Sequence, residues 1–361
     1  MIARRQFIQS LLTALAVLAL PSTSRALPSG QQPMLPLKPC NGKVVLLDEE
    51  DFITKHIKLI GVGGAGGNVV NHMRICGVQG VEFICANTDA QALARSYAHK
   101  TIPLGRSGLG TGSRPDLGRA AATETDDAIR AAIQGASMLF VTAGMGGGTG
   151  TGAAPVIARI AKDLGILTVG FVTLPFDFEG EHCLSKAEAG LIELQTHVDF
   201  LIVIHNETVL AVLGDELTQD EFFTYIDDQL KSAMVGMADA ITVPNPVNAD
   251  FEDVCTIMSE LGKNIIGTAM ARNPDRAWIA AQKAVAHPLL EGIDLFGAKG
   301  VLVLITVAED TLKLSEVSLA MDTVRPHASP DSQVIYGTTN DASLKDQIRV
   351  TVVATSLNFG G

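Results

Sequence analysis

The stretch GMGGGTGTG occupies residues Gly144–Gly152 and has seven consecutive glycines or threonines from Gly146 onward. The apolar run Ser137–Thr142 precedes it with the composition of a buried strand, and Ala153–Ala161 follows it with the apolar spacing of a helix. Glycines between a strand and a helix let consecutive backbone N–H groups converge on an anion, which the helix dipole also favours. The stretch therefore predicts a phosphate-binding loop. A merely flexible turn is disfavoured because flexible linkers are polar.

A second glycine-rich segment lies nearer the start of the chain. The run Ile57–Val62 predicts a strand, Gly63–Asn68 a loop and Val69–Ile75 the helix that the loop opens. Glycines 61, 63 and 66 satisfy the dinucleotide pattern G-x-G-x-x-G, and Asp89 follows the next predicted strand, Val81–Ala86, in the place of a ribose-binding acid. A dinucleotide-dependent dehydrogenase is therefore an alternative.

A third glycine-rich loop, Ser107–Pro115, leads into a helical stretch, Leu117–Gln134, and a further buried strand is predicted at Leu164–Val172. Strands that alternate with helices and end in glycine loops indicate an α/β fold with a doubly wound parallel sheet. Ligands of this class bind at the carboxyl edge of the sheet, where we expect the three loops to converge.

The remainder of the chain predicts a long helix and a smaller α+β domain. The long helix covers Phe222–Ala240, and Val254–Leu261 forms the next helix. We predict a signal-like segment and linker over 1–42, a nucleotide-binding domain with its central helix over 43–240, and a C-terminal domain over 241–361. The elements predicted for that last domain are a helix at Arg276–Ala286 and strands at Gly300–Thr306, Ser332–Gly337 and Gln347–Ala354.

Composition limits the classes of partner. The 361-residue chain is 47% hydrophobic and 18% charged, with a net charge of −12 and a pI near 5.1. These values favour globular domains and argue against a general nucleic-acid binder, whose affinity would come from basic residues. The cysteines are scattered, and the histidines lack metal-ligand spacing, so neither a disulfide framework nor an all-protein metal site is predicted. The cysteines are Cys40, Cys76, Cys85, Cys183 and Cys255.

The N-terminal segment resembles an export signal. Arginines 4 and 5 precede the apolar stretch Ile8–Leu20, and small residues follow up to Ala26, a pattern typical of a twin-arginine signal peptide. The apolar stretch is short for a membrane span. The alternative is an overlong translated start, with Met34 as the next methionine.

The glycine-threonine stretch, with Ala143 before it and Ala153–Pro155 after it, resembles the tubulin-type signature of the FtsZ family of bacterial division GTPases. The resemblance extends from about Lys55 to Leu357. It includes the segments Gly63–Asn68, Asn87–Leu93, Pro175–Gly180 and Asn248–Asp253. The order of these segments favours that family over the dehydrogenases, which share only one glycine loop with it.

The resemblance implies a GTP or GDP site with Mg²⁺ bridging the phosphates. It places Glu179 at the ribose, Phe223 against guanine, and Asp227 or Asp228 on the guanine N1–H and amino groups. Helical spacing alone would also allow a core aromatic and a solvated acidic face. The residues expected along the phosphates and the base edge are Gly64, Ala65, Gly66, Gly67 and Asn68 from one loop and Gly148, Thr149 and Gly150 from the other.

For Asn248, Asp250 and Asp253 the resemblance implies catalysis in trans: these side chains would orient the attacking water on the nucleotide of the next subunit. Hydrolysis would then require a head-to-tail filament, a heterologous contact that does not close. An alternative is that Asn248 or Asp250 N-caps the helix that follows. Both roles are compatible.

The chain departs from the family pattern at three positions. Cys183 stands where an arginine is usual, four residues after Glu179, and a thiol cannot supply the fixed positive charge of a guanidinium. Ala65 replaces a loop glycine, and Cys255 replaces a common basic residue. The first change is expected to affect nucleotide affinity or turnover.

The function predicted from the resemblance is a GTPase that polymerises head to tail and acts in septal ring assembly. The alternative is an accessory subunit that joins filaments of a full-length family member and hydrolyses GTP weakly. The expected partners are further copies of the chain and division regulators, together with a full-length family member under the alternative. The chain ends at Gly361, so we expect no tether through a long C-terminal tail. We expect a cytoplasmic location, since GTP is a cytoplasmic nucleotide; export or anchoring through residues 1–26 is the alternative.

Overall fold

Six parallel strands form the first sheet of the computed structural model, which describes residues 56–214, 216–242, 263–272, 274–286 and 298–357. The strand order is β3-β2-β1-β4-β5-β6, and every neighbouring pair is parallel. The strands are β1 (Ile57–Val62), β2 (Val81–Asn87), β3 (Lys100–Pro103), β4 (Met138–Gly144), β5 (Leu167–Leu174) and β6 (Phe200–His205). The prediction of an α/β fold with a doubly wound parallel sheet is confirmed.

Helices cover both faces of this sheet. They are α1 (Gly63–Ile75), α2 (Ala90–Ala94), α3 (Pro115–Glu124), α4 (Asp126–Ile133), α5 (Thr149–Asp163), α6 (Glu181–Gln195), α7 (Asn206–Leu213) and α8 (Gln219–Thr242). On one face α3 to α6 bury a cluster that includes Ile129, Ile157 and Leu194. On the other face α1 and α8 bury Met73 and Leu230 against the sheet. Burial on both faces explains why the strands read as continuous apolar runs.

The second sheet is mixed and belongs to the C-terminal part of the chain. It consists of β7 (Lys263–Ala271), β8 (Gly300–Val307), β9 (Gln333–Asn340) and β10 (Ile348–Leu357), with α9 (Arg276–Val285) and α10 (Leu314–Val324) packed on one face. Strand β10 lies between β7 and β8 and is antiparallel to both, whereas β8 and β9 are parallel. A single pair, Ile202 with Asn264, joins β6 to β7. The predicted smaller α+β region is confirmed.

Helix α8 contributes to the packing of both sheets. Its residues Ile226, Met234 and Met237 share one hydrophobic cluster with Phe171 of the first sheet and Leu304 of the second. The helix also runs across the predicted domain boundary at residues 240/241. The boundary positions themselves stay a prediction.

The G-x-G-x-x-G residues allow α1 to lie directly on the sheet. A Cβ atom on Gly66 would be 2.3 Å from the carbonyl oxygen of Thr142, and one on Gly61 would be 2.2 Å from the carbonyl oxygen of Gly66. Gly63 has φ +74°, a conformation that side chains rarely adopt. The pattern therefore serves close packing of helix on strand at this point.

Three parts of the sequence prediction differ from the structure. The glycine segment Gly63–Asn68 is not a loop but the first part of α1, and α5 likewise begins inside the glycine-threonine stretch, at Thr149. The predicted stretch Leu117–Gln134 is divided into two helices at Thr125. Elements absent from the prediction are β3, β7, α2, α6, α7 and α10.

Several predictions lie outside the described residues. These are the export-like segment and linker over 1–42 and the helix Val254–Leu261. The three residues expected to act in trans, Asn248, Asp250 and Asp253, also lie there.

We predict that Gly66→Ala lowers the free energy of unfolding by about 3 kcal/mol, because the new methyl group meets backbone atoms that cannot rotate away. Urea denaturation measured by circular dichroism tests this. The matched control is Gly64→Ala in the same helix turn, where no atom lies within 4 Å of the added Cβ. The control should be neutral or stabilising by about 0.5–1 kcal/mol. Equal destabilisation by both substitutions would contradict the close-packing argument.

Candidate nucleotide site

A cavity of about 380 Å³ lies at the carboxyl ends of the parallel strands, and we call it the glycine cavity. All three glycine-rich segments reach it: the start of α1, the loop that contains Thr111, and the stretch that ends in α5. The lining residues that the sequence analysis predicted are Gly64, Ala65, Gly148, Thr149, Gly150, Glu179 and Phe223. The expected convergence of the three segments is therefore observed.

The glycines around this cavity are of two kinds. Gly64 and Gly147 have no atom within 4 Å of a hypothetical Cβ, so their backbone borders open space where a ligand can approach. Gly148 and Gly150 are packed instead: a Cβ would lie 2.1 Å from Thr111 Oγ1 at the first and 2.4 Å from the carbonyl oxygen of Gly144 at the second. The packed glycines hold the backbone in place, and the open ones leave room for a ligand.

The electrostatics of the glycine cavity come from the backbone. Helices α1 and α5 both begin at the cavity, and neither has a side-chain cap or an acidic residue in its first turn. Their N–H groups and dipoles therefore remain available to an anion. Among the described residues that line the cavity there is no lysine or arginine. An anion in this cavity would meet backbone N–H groups and hydroxyls and no cationic side chain among the described lining residues.

A second cavity of about 320 Å³, here the aromatic cavity, shares Gly64, Ala65 and Phe223 with the first. Phe223 is 41% exposed, and the buried ring of Phe222 supports it at a centroid distance of 5.6 Å in an edge-on arrangement. An exposed ring fixed from behind is a stacking surface for a planar ligand. The polar residues that line this cavity are Asn68, Asp227, Thr142 and Thr173.

The adjacent residues Asp227 and Asp228 on α8 have pKa values that are shifted in opposite directions. Asp227 faces the aromatic cavity, and burial raises the pKa of its carboxyl to about 6, with a further rise from Asp228 and an opposing effect of His72. Asp228 is absent from that lining and accepts from Lys231 Nζ at 2.6 Å and contacts His72 Nε2 at 3.0 Å. Burial opposes ionisation of Asp228, but these hydrogen bonds outweigh it and lower its pKa. Of the two predicted guanine acceptors, the geometry favours Asp227.

Glu179 is held in the glycine cavity by its own turn. Its Oε1 accepts from the backbone N–H of Phe176 at 3.0 Å, and the Cys183 thiol donates to its Oε2 at 3.7 Å. Cys183 lines neither cavity, and its sulfur packs against Gly146. Burial raises the pKa of the Cys183 thiol, and the Glu179 carboxylate raises it further. A neutral thiol therefore stands at the position where the resemblance implies an arginine.

Several polar residues of the glycine cavity were absent from the sequence prediction. They are Thr111, Ser113, Thr173 and Asn206. Asn206 is buried, and its Oδ1 is a buried acceptor without a hydrogen-bond partner among the described residues. Its position directly after β6, at the carboxyl edge, is the signal that could have found it.

Other predicted residues have different positions. Gly66 and Gly67 line neither cavity: Gly66 is packed on β4, and Gly67 lies beside the sulfur of Cys85. Asp89, the ribose acid of the dehydrogenase alternative, instead caps α2, where its Oδ1 accepts from the N–H groups of Gln91 at 2.8 Å and Ala92 at 3.3 Å. The dehydrogenase alternative therefore lacks its ribose-binding acid.

Two family models match the chain. The GTPase domain of the tubulin/FtsZ family matches residues 56–214, and the C-terminal domain of the FtsZ family matches residues 262–358. The cell division protein FtsZ of Neisseria meningitidis serogroup A is 49% identical over 310 residues, which cover 84% of this chain and 79% of that protein. The FtsZ of Pseudomonas aeruginosa is 48% identical over 307 residues, with coverage of 84% and 78%.

Solved structures agree with these matches. An empty FtsZ dimer of M. jannaschii has a TM-score of 0.78 at 39% identity, over 84% of this chain and 88% of that one. A GTPγS-bound CetZ2 protofilament of Haloferax volcanii, 22% identical over 84% and 93% of the two chains, has a TM-score of 0.69 and shares the fold. Fold and site together define a GTPase of the tubulin-like class. The chain belongs to the FtsZ family of cell division proteins.

Within the part of the chain that the structure describes, no helix combines the length and apolar character needed to cross a membrane.

We predict that Asp227→Asn raises the free energy of unfolding of the nucleotide-free protein by roughly 1–3 kcal/mol at pH 8. The folded-state pKa of Asp227 lies above its ordinary value of 3.8, so the folded chain binds the proton more tightly than the unfolded chain. The buried charge therefore destabilises the fold above about pH 6, and this effect disappears as the pH falls through 6 toward 4. Urea denaturation at pH 4.5 and pH 8 measures it.

Asp228→Asn is the matched control on the neighbouring residue. The pKa of Asp228 is lowered, so its charge stabilises the fold above the unfolded pKa and that contribution is lost in acid. We expect a loss of less than about 1 kcal/mol at pH 8, since the ion pair with Lys231 is partly exposed. The same sign for both variants would contradict the assignment of Asp227 to the buried position.

Proposed function

We propose that the chain binds GTP across the two cavities, with the phosphates in the glycine cavity and guanine in the aromatic cavity. The observation that supports this most directly is the pair of helix N-termini, uncapped and free of acidic residues, beside the open backbone of Gly64 and Gly147. Phe223 would stack on the base, and Asp227 would accept from its N1–H and amino groups. Glu179 would bind the ribose.

Mg²⁺ is part of this proposal. The described lining of the glycine cavity has no cationic side chain, so the negative charge of a triphosphate is opposed only by N–H dipoles. A hard cation that takes oxygen ligands from phosphates and water complements such a site. Hydroxyl groups of Thr111 and Ser113 are the nearby protein oxygens suited to support it, and Mg²⁺ would supply charge neutralisation during phosphoryl transfer.

We further propose that hydrolysis is completed by the next subunit. The described part of the cleft offers backbone donors and hydroxyls but no residue suited to activate water beside the phosphates, apart from Glu179, whose Oε1 is already engaged by the Phe176 N–H. Asn248, Asp250 and Asp253 would supply that function in trans across a head-to-tail contact. Turnover would then be a property of the filament.

The chain would act at the cytoplasmic division site as a self-assembling filament. Its coverage of 79% of a division protein from N. meningitidis and the match of both family domains favour this over a purely accessory subunit. Copolymers with a full-length FtsZ and contacts with division regulators are compatible partners. The cytoplasmic location follows from the supply of GTP.

We predict that GTP turnover per subunit rises with protein concentration, because a complete site forms only between assembled subunits. Phosphate release and sedimentation with GTP and Mg²⁺ measure the two events together. Asp250→Asn and Asp253→Asn should reduce turnover by about 100-fold or more while GTP binding and pelleting persist. A turnover per subunit that is constant at all concentrations would show that one chain carries a complete site.

We predict that Cys183→Arg increases turnover about tenfold, equivalent to about 1.4 kcal/mol, because it places a positive charge beside Glu179 and the phosphate-binding stretch. Cys183→Ser is the control, since it keeps the size and neutrality of the side chain. Steady-state phosphate release measures both. Equal rates of phosphate release for the arginine and serine variants would show that charge at position 183 does not determine turnover.

A further inference from the structure

Three side chains that can bind a metal ion meet where α1 contacts α8, outside both nucleotide cavities. They are His72 and Cys76, one helical turn apart on α1, and Asp228 on α8. His72 Nε2 is 3.0 Å from Asp228 Oδ1 and 3.5 Å from Cys76 Sγ, and all three ligand atoms lie within 4.8 Å of one another. We propose that this cluster is a Zn²⁺ site that joins the two helices.

Two of the three separations between ligand atoms suit a tetrahedral ion, and the third is below 4.8 Å. With Zn–N near 2.0–2.1 Å and Zn–S near 2.3 Å, tetrahedral angles separate the nitrogen and sulfur by about 3.6 Å. The observed separation of 3.5 Å already matches this value. The His72–Asp228 pair has to widen from 3.0 Å by only a few tenths of an ångström. An exposed thiol and a partly exposed carboxylate leave the site open to solvent, so water can provide the fourth ligand.

The ligand chemistry selects the ion. An imidazole nitrogen, a thiolate and a carboxylate form a mixed set that suits Zn²⁺, whereas Mg²⁺ and Ca²⁺ prefer sites made of oxygen alone. Sequence spacing did not predict this site, because His72 and Asp228 are 156 residues apart and only the packing of α1 on α8 brings them together.

Lys231 contacts two of the three ligand side chains, Asp228 and Cys76. Its Nζ is 2.6 Å from Asp228 Oδ1 and 3.6 Å from Cys76 Sγ, so one ammonium group contacts two of the three ligands. Binding of Zn²⁺ exchanges this ammonium for the ion and releases the Cys76 proton. Lys231 is therefore a competitor for the site.

The site is close to the base-binding residues. His72 lies one turn beyond Asn68 on α1, and Asp228 follows Asp227 directly on α8, while Asn68 and Asp227 both line the aromatic cavity. A metal bridge fixes the spacing of the two helices that carry these residues. The proposal concerns metal binding by the chain and does not depend on the proposed GTP hydrolysis.

Co²⁺ titration of the full-length, chelator-treated, nucleotide-free protein tests the site, with Zn²⁺ as competitor. We expect one Co²⁺ per chain, visible d–d bands of a tetrahedral ion, and a thiolate charge-transfer band that Zn²⁺ abolishes. Cys76→Ser should remove the charge-transfer band, and His72→Gln should weaken binding about tenfold or more. The control is His327→Gln, since His327 is exposed on a short helix that follows α10. This variant should bind Co²⁺ like the wild type.

Lys231→Met should raise the affinity for Zn²⁺, whereas the ligand variants lower it. Because it removes the competing ammonium, Zn²⁺ affinity should rise by a factor of about 2 to 5, the range of a partly exposed ion pair. A charge-transfer band that persists in Cys76→Ser, wild-type affinity in His72→Gln, or unchanged affinity in Lys231→Met would each overturn the three-ligand site. Circular dichroism of each variant verifies that the fold is retained.

Discussion

The contact of α1 with β4, backbone against backbone, is the constraint on which the nucleotide site depends. Gly66 has no room for a Cβ because the Thr142 carbonyl lies 2.3 Å from that position, and Gly61 is confined in the same way by Gly66. This approach brings the start of α1 beside the start of α5, where a Cβ on Gly63 would lie 3.0 Å from the Gly150 nitrogen. Two helix N-termini thus point at one cavity.

The sequence predicted the strands best where both faces of the strand are buried. Strands such as β1, β4 and β8 are covered on both faces and read as unbroken apolar runs, so they were predicted almost to their ends. Helix α6 was missed because its buried positions include Ala187 and Gly190, whose small side chains give little periodic signal. The glycine segments predict loops, but the structure begins helices within them, since glycine is compatible with the first turn of a helix.

The site was predictable in outline but not in its details. Glycine-rich segments after parallel strands indicate a phosphate site, since backbone donors and helix dipoles are local consequences of the sequence. The choice between Asp227 and Asp228 was not local. Successive residues of a helix differ by about 100° in direction, so only the packed structure directs one into the aromatic cavity and the other toward Lys231. Asn206, by contrast, has a local signal in the sequence, its position directly after β6.

The two ends of the nucleotide site respond differently to acid. Backbone N–H groups at the glycine cavity do not titrate, so these donors are unchanged as the pH falls. Asp227 at the other end has a pKa of about 6 and becomes a hydrogen-bond donor when protonated. In the proposed binding mode, acidification of the cell would therefore remove the acceptor for guanine while the backbone donors at the glycine cavity stayed intact. Selection of the base is thus the step that this arrangement makes sensitive to acid.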